Sequence, residues 1–507
     1  MPLARARSVA LLGVEGHVVE VEADLARGLP GVSIVGLPDA ALTEARDRIR
    51  AAIVNSGQSW PAHRITLALS PADLRKHGSG YDLALAASVL CAAGLVPQEA
   101  LTGLALIGEL GLDGTVRPVR GVLPAVLAAA RAGIDRAVVP AANAAEAALV
   151  LDVGVYGVRT LSELLAWLRG EPTDVVERAP PAYEREPPAY DVVDVVGQPV
   201  GRRALEVAAA GGHHLLLSGP PGAGKTMLAE RLPGLLPPLS HEQALEVTAV
   251  HSIAGLLPPG APLVSTPPLR APHHTASVAA LVGGGSGVPR PGAISCAHCG
   301  ILFLDEAPEF PSGALDALRE PMERGAVSIA RAGGLFRYPS RFQLVLAANP
   351  CPCASPAGDA ACTCAPMVRR RYLARLSGPL LDRVDLRVQL MPVLRSALLA
   401  DTDLLESTAT VAARVATARA VAAERLRGTP WLRNADVPGP VLRARWRPGR
   451  LVMGDALTAL DRGAISTRGL DRILRMAWTI ADLGGRGSPD RYDLAEALGF
   501  RLSEAAA

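Results

Sequence analysis

Apolar and polar positions along residues 1–168 alternate between two spacings. Segments rich in β-branched residues, such as 18–21 and 65–69, have the period of strands, and the Ala-rich stretches between them have the period of helices. This pattern predicts a mixed α/β domain over residues 1–168. Prolines and charges then alternate from residue 171 to about 190, which predicts an exposed linker over residues 169–193.

The pattern changes again after the linker. Residues 194–395 carry strand-like apolar runs between helical stretches and predict a second α/β unit. Residues 396–507 are rich in Ala, Leu and Arg at helical spacing, with few strand signals. They predict a helical lid that follows the second α/β unit.

Composition sets the class of protein. A chain of 507 residues is too long for one hydrophobic core, so about two to four domains are expected. Hydrophobic residues make up 49% of the chain and aromatic residues 3%, so the cores must consist mainly of Ala, Val and Leu. The net charge of +2 does not itself indicate a nucleic-acid partner, because a basic face can lie within a near-neutral total.

The sequence also predicts a location. The longest apolar run, residues 83–96, is too short and too rich in Ala and Gly to span a bilayer. The apolar stretch near the amino terminus ends at Glu15, too early for a secretory signal. We therefore expect a cytoplasmic protein without a membrane partner, whose seven cysteines are reduced.

A phosphate-binding loop follows the apolar run at residues 215–217. It fits the pattern G-x-x-x-x-G-K-[ST] and leads into a helix-forming segment, so it predicts a bound nucleoside triphosphate. Lys225 would place an ammonium near the β and γ phosphates, and Thr226 would offer a hydroxyl to Mg²⁺. A glycine-rich turn without a ligand is disfavoured by the strand, loop and helix order. The predicted cofactor-binding residues are Gly219, Pro220, Pro221, Gly222, Ala223, Gly224, Lys225 and Thr226.

Two carboxylates end a later strand signal. Residues 301–304 are apolar and lead into Asp305 and Glu306, as in a buried parallel strand that presents acids at its carboxyl end. Asp305 is expected to hold Mg²⁺ with Thr226, and Glu306 to polarise the attacking water. A strand ending in Asp-Glu is common. The motif therefore indicates an ATPase site only because it follows a phosphate loop.

Further candidates lie downstream. Asn349 ends the strand-like run 343–348 and would orient water beside the γ-phosphate, although Asn-Pro is also an ordinary turn starter. Arg383 would stabilise transition-state charge in a neighbouring subunit, with a surface Asp-Arg pair as the alternative. Arg468, at the start of a predicted lid helix, is a second such candidate, with a solvated helix arginine as its alternative.

The remaining chemistry lies in clustered cysteines. Four of them follow the pattern C-x-C-x₈-C-x-C, and four thiolates at this spacing can close a tetrahedral Zn²⁺ site. Four reduced thiols on a loop are the alternative, because C-x-C is tighter than the spacing of most zinc ribbons. Cys296 and Cys299 are expected to be core or loop thiols. The predicted zinc ligands are Cys351, Cys353, Cys362 and Cys364.

Taken together, these motifs resemble the YifB/ComM family of magnesium-chelatase-like AAA+ ATPases over essentially the whole chain. The resemblance implies an α/β fold in which an AAA+ P-loop ATPase core with a helical lid follows a Lon-protease-like (ribosomal protein S5 domain 2-like) α/β domain. It implies ATP and Mg²⁺ as cofactors and Gln198 as a further nucleotide-binding residue. The matching segments are residues 31–39, 197–198, 219–226, 270–275, 303–306, 349–353 and 377–385.

The resemblance also implies roles for single residues. Asn349 corresponds to sensor 1, Arg383 to the arginine finger and Arg468 to the sensor 2 arginine, with Arg472 as the fallback for the last. A finger acting on a neighbouring subunit needs a ring, so a homo-hexamer is implied. A helix 2 insertion at about 252–290 and a hairpin at about 326–341 are expected.

Relatives of this family drive branch migration of DNA in recombination and natural transformation, so an ATP-driven DNA helicase is implied. The alternative is a chelatase-type ATPase subunit that remodels a protein partner. That alternative is disfavoured by the additional N-terminal domain and by the absence of a D-x-S-x-S metal-adhesion motif.

The residues of the hairpin offer independent but weaker support for branched or single-stranded DNA as the partner. Arg331, Arg337 and Arg341 would bind phosphates, and Phe336 and Tyr338 would stack on bases. Solvated arginines on a short loop are an equal alternative. Arg369, Arg370 and Arg371 form another basic cluster.

The N-terminal domain resembles a Lon protease without its Ser/Lys dyad. The matching segments place Gly80 where the serine is expected and Leu123 where the lysine is expected, and neither can do the chemistry. Ser79 and Lys76 would have to form a shifted dyad, which we regard as the minor alternative. The domain is expected to be structural or to contact the substrate.

Overall fold

The computed structural model describes residues 3–37, 39–179, 189–258, 263–285, 288–331, 334–355, 362–393, 395 and 405–502. Three units follow one another along the chain, and their sheets and helices are given below.

The first unit is built on a seven-stranded sheet. Its strands are β1 (Leu3–Leu12), β2 (Glu15–Ala26), β3 (Gly31–Val35), β4 (Arg64–Ser70), β5 (Leu104–Leu106), β8 (Arg136–Pro140) and β9 (Gly154–Val158), with β6 (Glu109–Leu110) and β7 (Val116–Arg117) as a separate pair. The order in the sheet is β3-β4-β2-β1-β5-β8-β9. The helices of this unit are α1 (Ala40–Asn55), α2 (Asp82–Ala92), α3 (Gln98–Leu101), α4 (Val122–Arg131), α5 (Ala144–Ala147) and α6 (Leu161–Leu168).

The burial of side chains explains why these strands and helices form in the first unit. Alternate residues of β2 from Val19 to Leu25 are buried, as expected of a strand with one face on the core. Helix α2 is buried around almost its whole circumference, so it lies inside the unit. Glu177 and Arg178, from the segment predicted as a linker, pair with the edge strand β9. The mixed α/β prediction for this part of the chain is confirmed.

The second unit is built on a parallel five-stranded sheet. Its strands are β10 (Leu215–Ser218), β11 (Leu269–Arg270), β14 (Ile301–Leu304), β17 (Gln343–Ala348) and β18 (Leu386–Gln389), and two hairpins add β12 (Gly283–Gly284) with β13 (Arg290–Pro291) and β15 (Ala326–Arg331) with β16 (Gly334–Pro339). The order in the sheet is β11-β14-β17-β10-β18. The helices of this unit are α7 (Pro199–Gly211), α8 (Lys225–Leu235), α9 (His241–Ala254), α10 (Val278–Val282), α11 (Ala293–Cys296), α12 (Ser312–Asp316), α13 (Arg319–Arg324), α14 (Pro366–Leu373) and α15 (Gly378–Leu381).

The central strands of this sheet are apolar because helices cover both of its faces. Every residue of β14 and of β17 is buried. The strands are parallel, so their carboxyl ends meet at one edge of the sheet. The segments after β10, β14 and β17 therefore lie close together.

The third unit is helical, as the sequence predicts. Its helices are α16 (Thr408–Arg425), α17 (Gly439–Arg445), α18 (Gly454–Asp461), α19 (Thr467–Leu483) and α20 (Arg491–Leu502). Helix α19 carries one apolar face that packs against α7, α16 and α20. None of the described helices is both long and apolar enough to cross a membrane.

The first two units touch through the hairpin β15–β16 and through α9. Gly13 forms a β-bridge with Arg337, and the backbone N–H of Val14 donates to the Arg337 carbonyl. Ser252 of α9 accepts a 3.0 Å hydrogen bond from the backbone of Gly121, which precedes α4. The hairpin is therefore anchored to the N-terminal unit.

A buried polar cluster joins the core to the lid. Arg472 of α19 contacts Asp385 at 2.6 Å, and the backbone N–H of His214 donates to the other oxygen of that carboxylate. His213 contacts Thr479 of α19 at 2.8 Å. Burial alone would raise the pKa of Asp385, but Arg472, His213 and His214 outweigh it and hold the pKa well below its usual range.

We expect Asp385→Ala to lower the free energy of unfolding of the core and lid by about 3–5 kcal/mol at neutral pH, because Arg472 would keep a largely buried charge without its partner. Since the pKa of Asp385 is depressed in the folded state, its contribution is complete above the unfolded pKa and is lost as the pH falls through the folded pKa. Denaturant titration at about pH 7 and about pH 3 should therefore show a smaller difference in acid. Asp461→Ala, at an exposed position, is the matched control and should have little effect at either pH.

Candidate functional site

The predicted phosphate loop lies between β10 and α8. Gly222 and Gly224 adopt φ angles of 77° and 86°, a left-handed conformation that side chains disfavour, although a Cβ at either position would meet open space. A Cβ at Gly219 would instead lie 2.7 Å from the Leu390 carbonyl. The glycines are therefore required by backbone conformation at two positions and by close packing at the third.

Lys225 connects the loop to the end of β17. Its side chain is largely buried, and Nζ donates to the carbonyls of Gly219 at 2.7 Å and Pro220 at 2.9 Å, and to Asn349 Oδ1 at 2.9 Å. Burial lowers the pKa of this ammonium, while the carboxylate of Asp305 acts in the opposite direction. The lysine and asparagine predicted from separate motifs are thus in direct contact.

The two predicted Mg²⁺ ligands also meet. Thr226 Oγ1 donates to Asp305 Oδ2 at 2.7 Å, and the other oxygen of Asp305 accepts from the Glu306 backbone at 2.9 Å. A hydroxyl and a carboxylate are oxygen donors of the kind that Mg²⁺ prefers, so the residues fit this ion. Gln198 links the loop to the segment after β18, because its side-chain amide donates to the carbonyls of Ala223 and Met391 at 3.0 and 2.6 Å.

The side chain of Glu306 has a partner that sequence reasoning missed. Glu306 adopts a left-handed φ of 51°, which is strained for a residue with a side chain. Its carboxylate lies 3.2 Å from Nδ1 of His274, which belongs to the matching segment 270–275 but was given no role from the sequence. The available signal was topological: β11 precedes this loop and pairs in parallel with β14, so the residues after both strands share one edge.

Among the described residues, no hydrogen bond or ion pair joins the predicted arginines to Lys225, Thr226, Asp305, Glu306 or Asn349. Arg383 pairs with Glu323 of the same chain and donates to the Pro379 carbonyl at 2.5 Å. Arg468 is exposed in the first turn of α19. Arg472 forms the buried pair with Asp385, so the fallback for Arg468 already serves the contact between core and lid.

The hairpin β15–β16 corrects one expectation. Phe336 and Tyr338 are 1% and 0% exposed, and the Tyr338 hydroxyl donates to the Pro289 carbonyl at 2.5 Å. The prediction that these rings stack on bases is wrong, because alternate residues of β16 face the core. Arg331 and Arg337 remain exposed on the hairpin.

The N-terminal unit holds no shifted Ser/Lys dyad. Lys76 is completely buried, and Nζ donates to the carbonyls of Leu69 and Pro71. The Ser79 hydroxyl instead donates to Glu109. The two side chains therefore have separate hydrogen-bond partners.

The four clustered cysteines come together as predicted. The Sγ atom of Cys351 lies 2.9 Å from that of Cys353 and 3.4 Å from that of Cys362, and all four Sγ atoms, including that of Cys364, lie within 4.8 Å of one another. These separations exceed the about 2.05 Å of a disulfide. Tetrahedral Zn²⁺ with Zn–S bonds of about 2.3 Å requires sulfur separations of about 3.8 Å, so the thiols are close to that arrangement.

Comparison with known proteins identifies an ATPase family over the residues that form this site. Sequence models described as "Magnesium chelatase, subunit ChlI", "Subunit ChlI of Mg-chelatase" and "Magnesium chelatase, subunit ChlI C-terminal" match residues 191–398, 21–143 and 405–501. The chain is 41% identical to YifB of Escherichia coli over 99% of this chain and 97% of YifB. It is 40% identical to the competence protein ComM of Haemophilus influenzae over 99% of this chain and 98% of ComM.

The chain belongs to the YifB/ComM family of magnesium-chelatase-like AAA+ ATPases. A protein of Mycobacterium tuberculosis is 59% identical over the whole of both chains. A part of the chain is also 34% identical to Lon protease 2 of Bacillus subtilis. The matched 125 residues are 23% of this chain and 22% of that protease. The predicted fold class, an AAA+ core with a Lon-like N-terminal region, is confirmed.

We expect His274→Ala to lower kcat for ATP roughly tenfold while leaving ATP affinity unchanged, because Glu306 would lose the side chain that orients its carboxylate. Steady-state turnover and titration with a fluorescent ATP analogue measure the two effects separately. His274→Asn should recover part of the rate, because its amide can donate to the same carboxylate.

His273→Ala is the matched control for this prediction. His273 lies on the same loop, stacked on His274 with ring centroids 4.1 Å apart, but its Nδ1 contacts Thr275 at 2.9 Å. An equal loss of kcat in both alanine variants would show that the loop conformation matters and that the contact with Glu306 does not.

Proposed function

We propose that this protein is an ATP-hydrolysing AAA+ motor that acts as a hexamer on branched or single-stranded DNA and promotes branch migration in recombination or transformation. The observation that carries the ATPase part is the contact network that joins Lys225 to Asn349 and Thr226 to Asp305 at one edge of a parallel sheet. The motor and DNA parts are supported by similarity to ComM, whose name describes a competence protein. We place this activity in the cytoplasm.

Each polar residue of the network has a separate task in hydrolysis. The Lys225 ammonium and the backbone N–H groups of the phosphate loop bind the β and γ phosphates. Thr226 and Asp305 would hold Mg²⁺, which would neutralise phosphate charge when bound. Glu306 accepts a hydrogen bond from the attacking water, and the Asn349 amide fixes the direction of attack.

A ring would add positive charge to that of Lys225. Arg383 is proposed as the finger that reaches the γ-phosphate of an adjacent subunit, and Arg468 as the lid arginine that contacts the nucleotide. In the single chain, Arg383 is held by Glu323. Assembly would then exchange this pair for a contact with the triphosphate, which would make hydrolysis depend on the neighbouring subunit.

The DNA surface is proposed on the hairpin β15–β16. Arg331 and Arg337 are exposed there, and Arg341 is exposed just beyond it. Guanidinium groups bind phosphates without regard to sequence, as branch migration requires. Because Phe336 and Tyr338 are buried, contacts with the DNA backbone would replace base stacking as the source of affinity.

Similarity to magnesium chelatase subunits favours one further candidate, an ATPase subunit that remodels a protein partner. Both candidates use the same nucleotide site, so they differ only in the polymer that stimulates turnover. ATP turnover and strand displacement measured on duplex, forked, four-way and single-stranded DNA distinguish them.

We propose, in addition, that Cys351, Cys353, Cys362 and Cys364 hold a structural Zn²⁺ ion. Thiolate sulfur is the ligand that Zn²⁺ prefers in closed, four-coordinate sites. The convergence of these Sγ atoms within 4.8 Å supports this assignment.

Forked or single-stranded DNA is expected to raise kcat for ATP severalfold in the wild-type protein. Glu306→Gln should keep ATP binding and abolish turnover, because the amide cannot accept the proton of the attacking water. Unchanged turnover with every DNA tested would contradict the DNA proposal while leaving the ATPase proposal intact.

The double substitution Arg331→Ala and Arg337→Ala should weaken DNA binding and lower the slope of log K against log salt by about two, because each arginine that binds a phosphate adds about one to this slope. Fluorescence anisotropy over a salt series measures the slope. The matched control is Arg450→Ala with Arg462→Ala, which removes the same charge from exposed lid positions. If both doubles weaken binding equally, the hairpin is not the DNA surface.

A further inference from the structure

The four-cysteine cluster lies directly beside the predicted water-orienting residue. Cys351 follows Asn349 by two positions at the end of β17, and Cys364 precedes Pro366, the first residue of α14, by two positions. The cluster therefore joins the end of a central strand to the start of a helix. Cys351 is 2% exposed, Cys362 and Cys364 are half-buried, and Cys353 is exposed, so the cluster extends from the interior to the surface.

Helix α14 also reaches back to the same asparagine. Tyr372 is 5% exposed. Burial raises the pKa of its hydroxyl to about 12, and the nearby backbone of Asn349 acts in the opposite direction. The described residues 349–355 and 362–372 are thus joined by the thiol cluster, and Tyr372 of the second range lies near Asn349 of the first. The Asn349 side chain contacts Lys225 at 2.9 Å.

The phosphate loop has supports of its own. Gln198 donates to its backbone, and β10, an interior strand of the sheet, continues directly into it. Loosening the cysteine cluster would therefore free Asn349 while leaving the residues that bind the phosphates in place. Displacement of a catalytic group by about 1 Å can cost as much as about 100-fold in rate, whereas binding through the phosphate loop would be retained.

We propose that the metal held by the four cysteines is a clamp on Asn349, so that the occupancy of this metal site sets the rate of ATP hydrolysis and not the affinity for ATP. This inference rests on the proposed zinc site and the proposed ATPase activity. Asn349 is the residue that acts on the reacting water, and the cysteines are positioning residues that act through it.

The test uses the full-length protein and the variants Cys353→Ser and Cys364→Ser, which spare the buried Cys351. Zinc content is measured by mass spectrometry, ATP affinity with a fluorescent analogue, and kcat by phosphate release. We expect about one zinc per wild-type chain, its loss in both variants, a fall in kcat of roughly tenfold or more, and an ATP affinity within about twofold of wild type. Cys91→Ser is the matched control, since Cys91 lies in the N-terminal unit outside the cluster, and it should keep zinc content and kcat.

Each failure has its own signature. A wild-type protein that hydrolyses ATP but contains no zinc overturns the zinc site and the clamp with it, while ATPase activity stands. Zinc that is lost from both serine variants with kcat unchanged overturns the clamp alone. A wild-type protein that hydrolyses no ATP, with or without DNA, overturns the proposed function.

A second measurement covers variants that fail to fold. A zinc-selective chelator is added to the folded wild-type protein, and stoichiometric Zn²⁺ is then returned. A fall in kcat that is reversed by the returned metal, at constant ATP affinity, supports the clamp. Removal of zinc with no change in kcat overturns it.

Discussion

The parallel order of β14, β17 and β10 is the constraint on which the nucleotide site depends. Parallel strands present their carboxyl ends at one edge of a sheet. Here Asp305 follows β14, Asn349 follows β17 and the phosphate loop follows β10. The register pairs Leu304 with Leu346 and Leu217 with Ala347, which places Asp305, Asn349 and the phosphate loop next to one another. Because every residue of β14 and β17 is buried, a slip in this register would disturb the whole core.

Several structures are attached to the second unit from outside its sheet. The loop after β11 brings His274 to Glu306 at the carboxyl edge, and the buried pair of Asp385 and Arg472 joins the lid to the residue before β18. The hairpin β15–β16 bridges to Gly13 of the N-terminal unit. Movements of the lid or of the N-terminal unit would therefore bear on the unit that holds the nucleotide-site residues.

Much of the chemistry could be predicted because it lies in short, continuous motifs. The phosphate loop, the Asp305-Glu306 pair and the four cysteines each occupy a few neighbouring residues, and the structure brings each group together. The predictions were weaker where a residue acts through a distant partner. The contact of His274 with Glu306 was missed because it depends on strand pairing. Phe336 and Tyr338 were misassigned because alternation along a strand does not say which face meets the core.

The sequence by itself determined the local conformations and the kind of ligand, since glycine at Gly222 and Gly224, an ammonium at Lys225 and carboxylates at Asp305 and Glu306 restrict the backbone and the chemistry at each point. Tertiary structure alone decided which of these groups meet. Arg472 became a link between core and lid, Arg383 was paired with Glu323, and Asn349 was placed between Lys225 and the cysteine cluster. The reason is that such partners lie tens to hundreds of residues apart, so their contacts arise from strand order and burial and leave no spacing that a linear pattern could reveal.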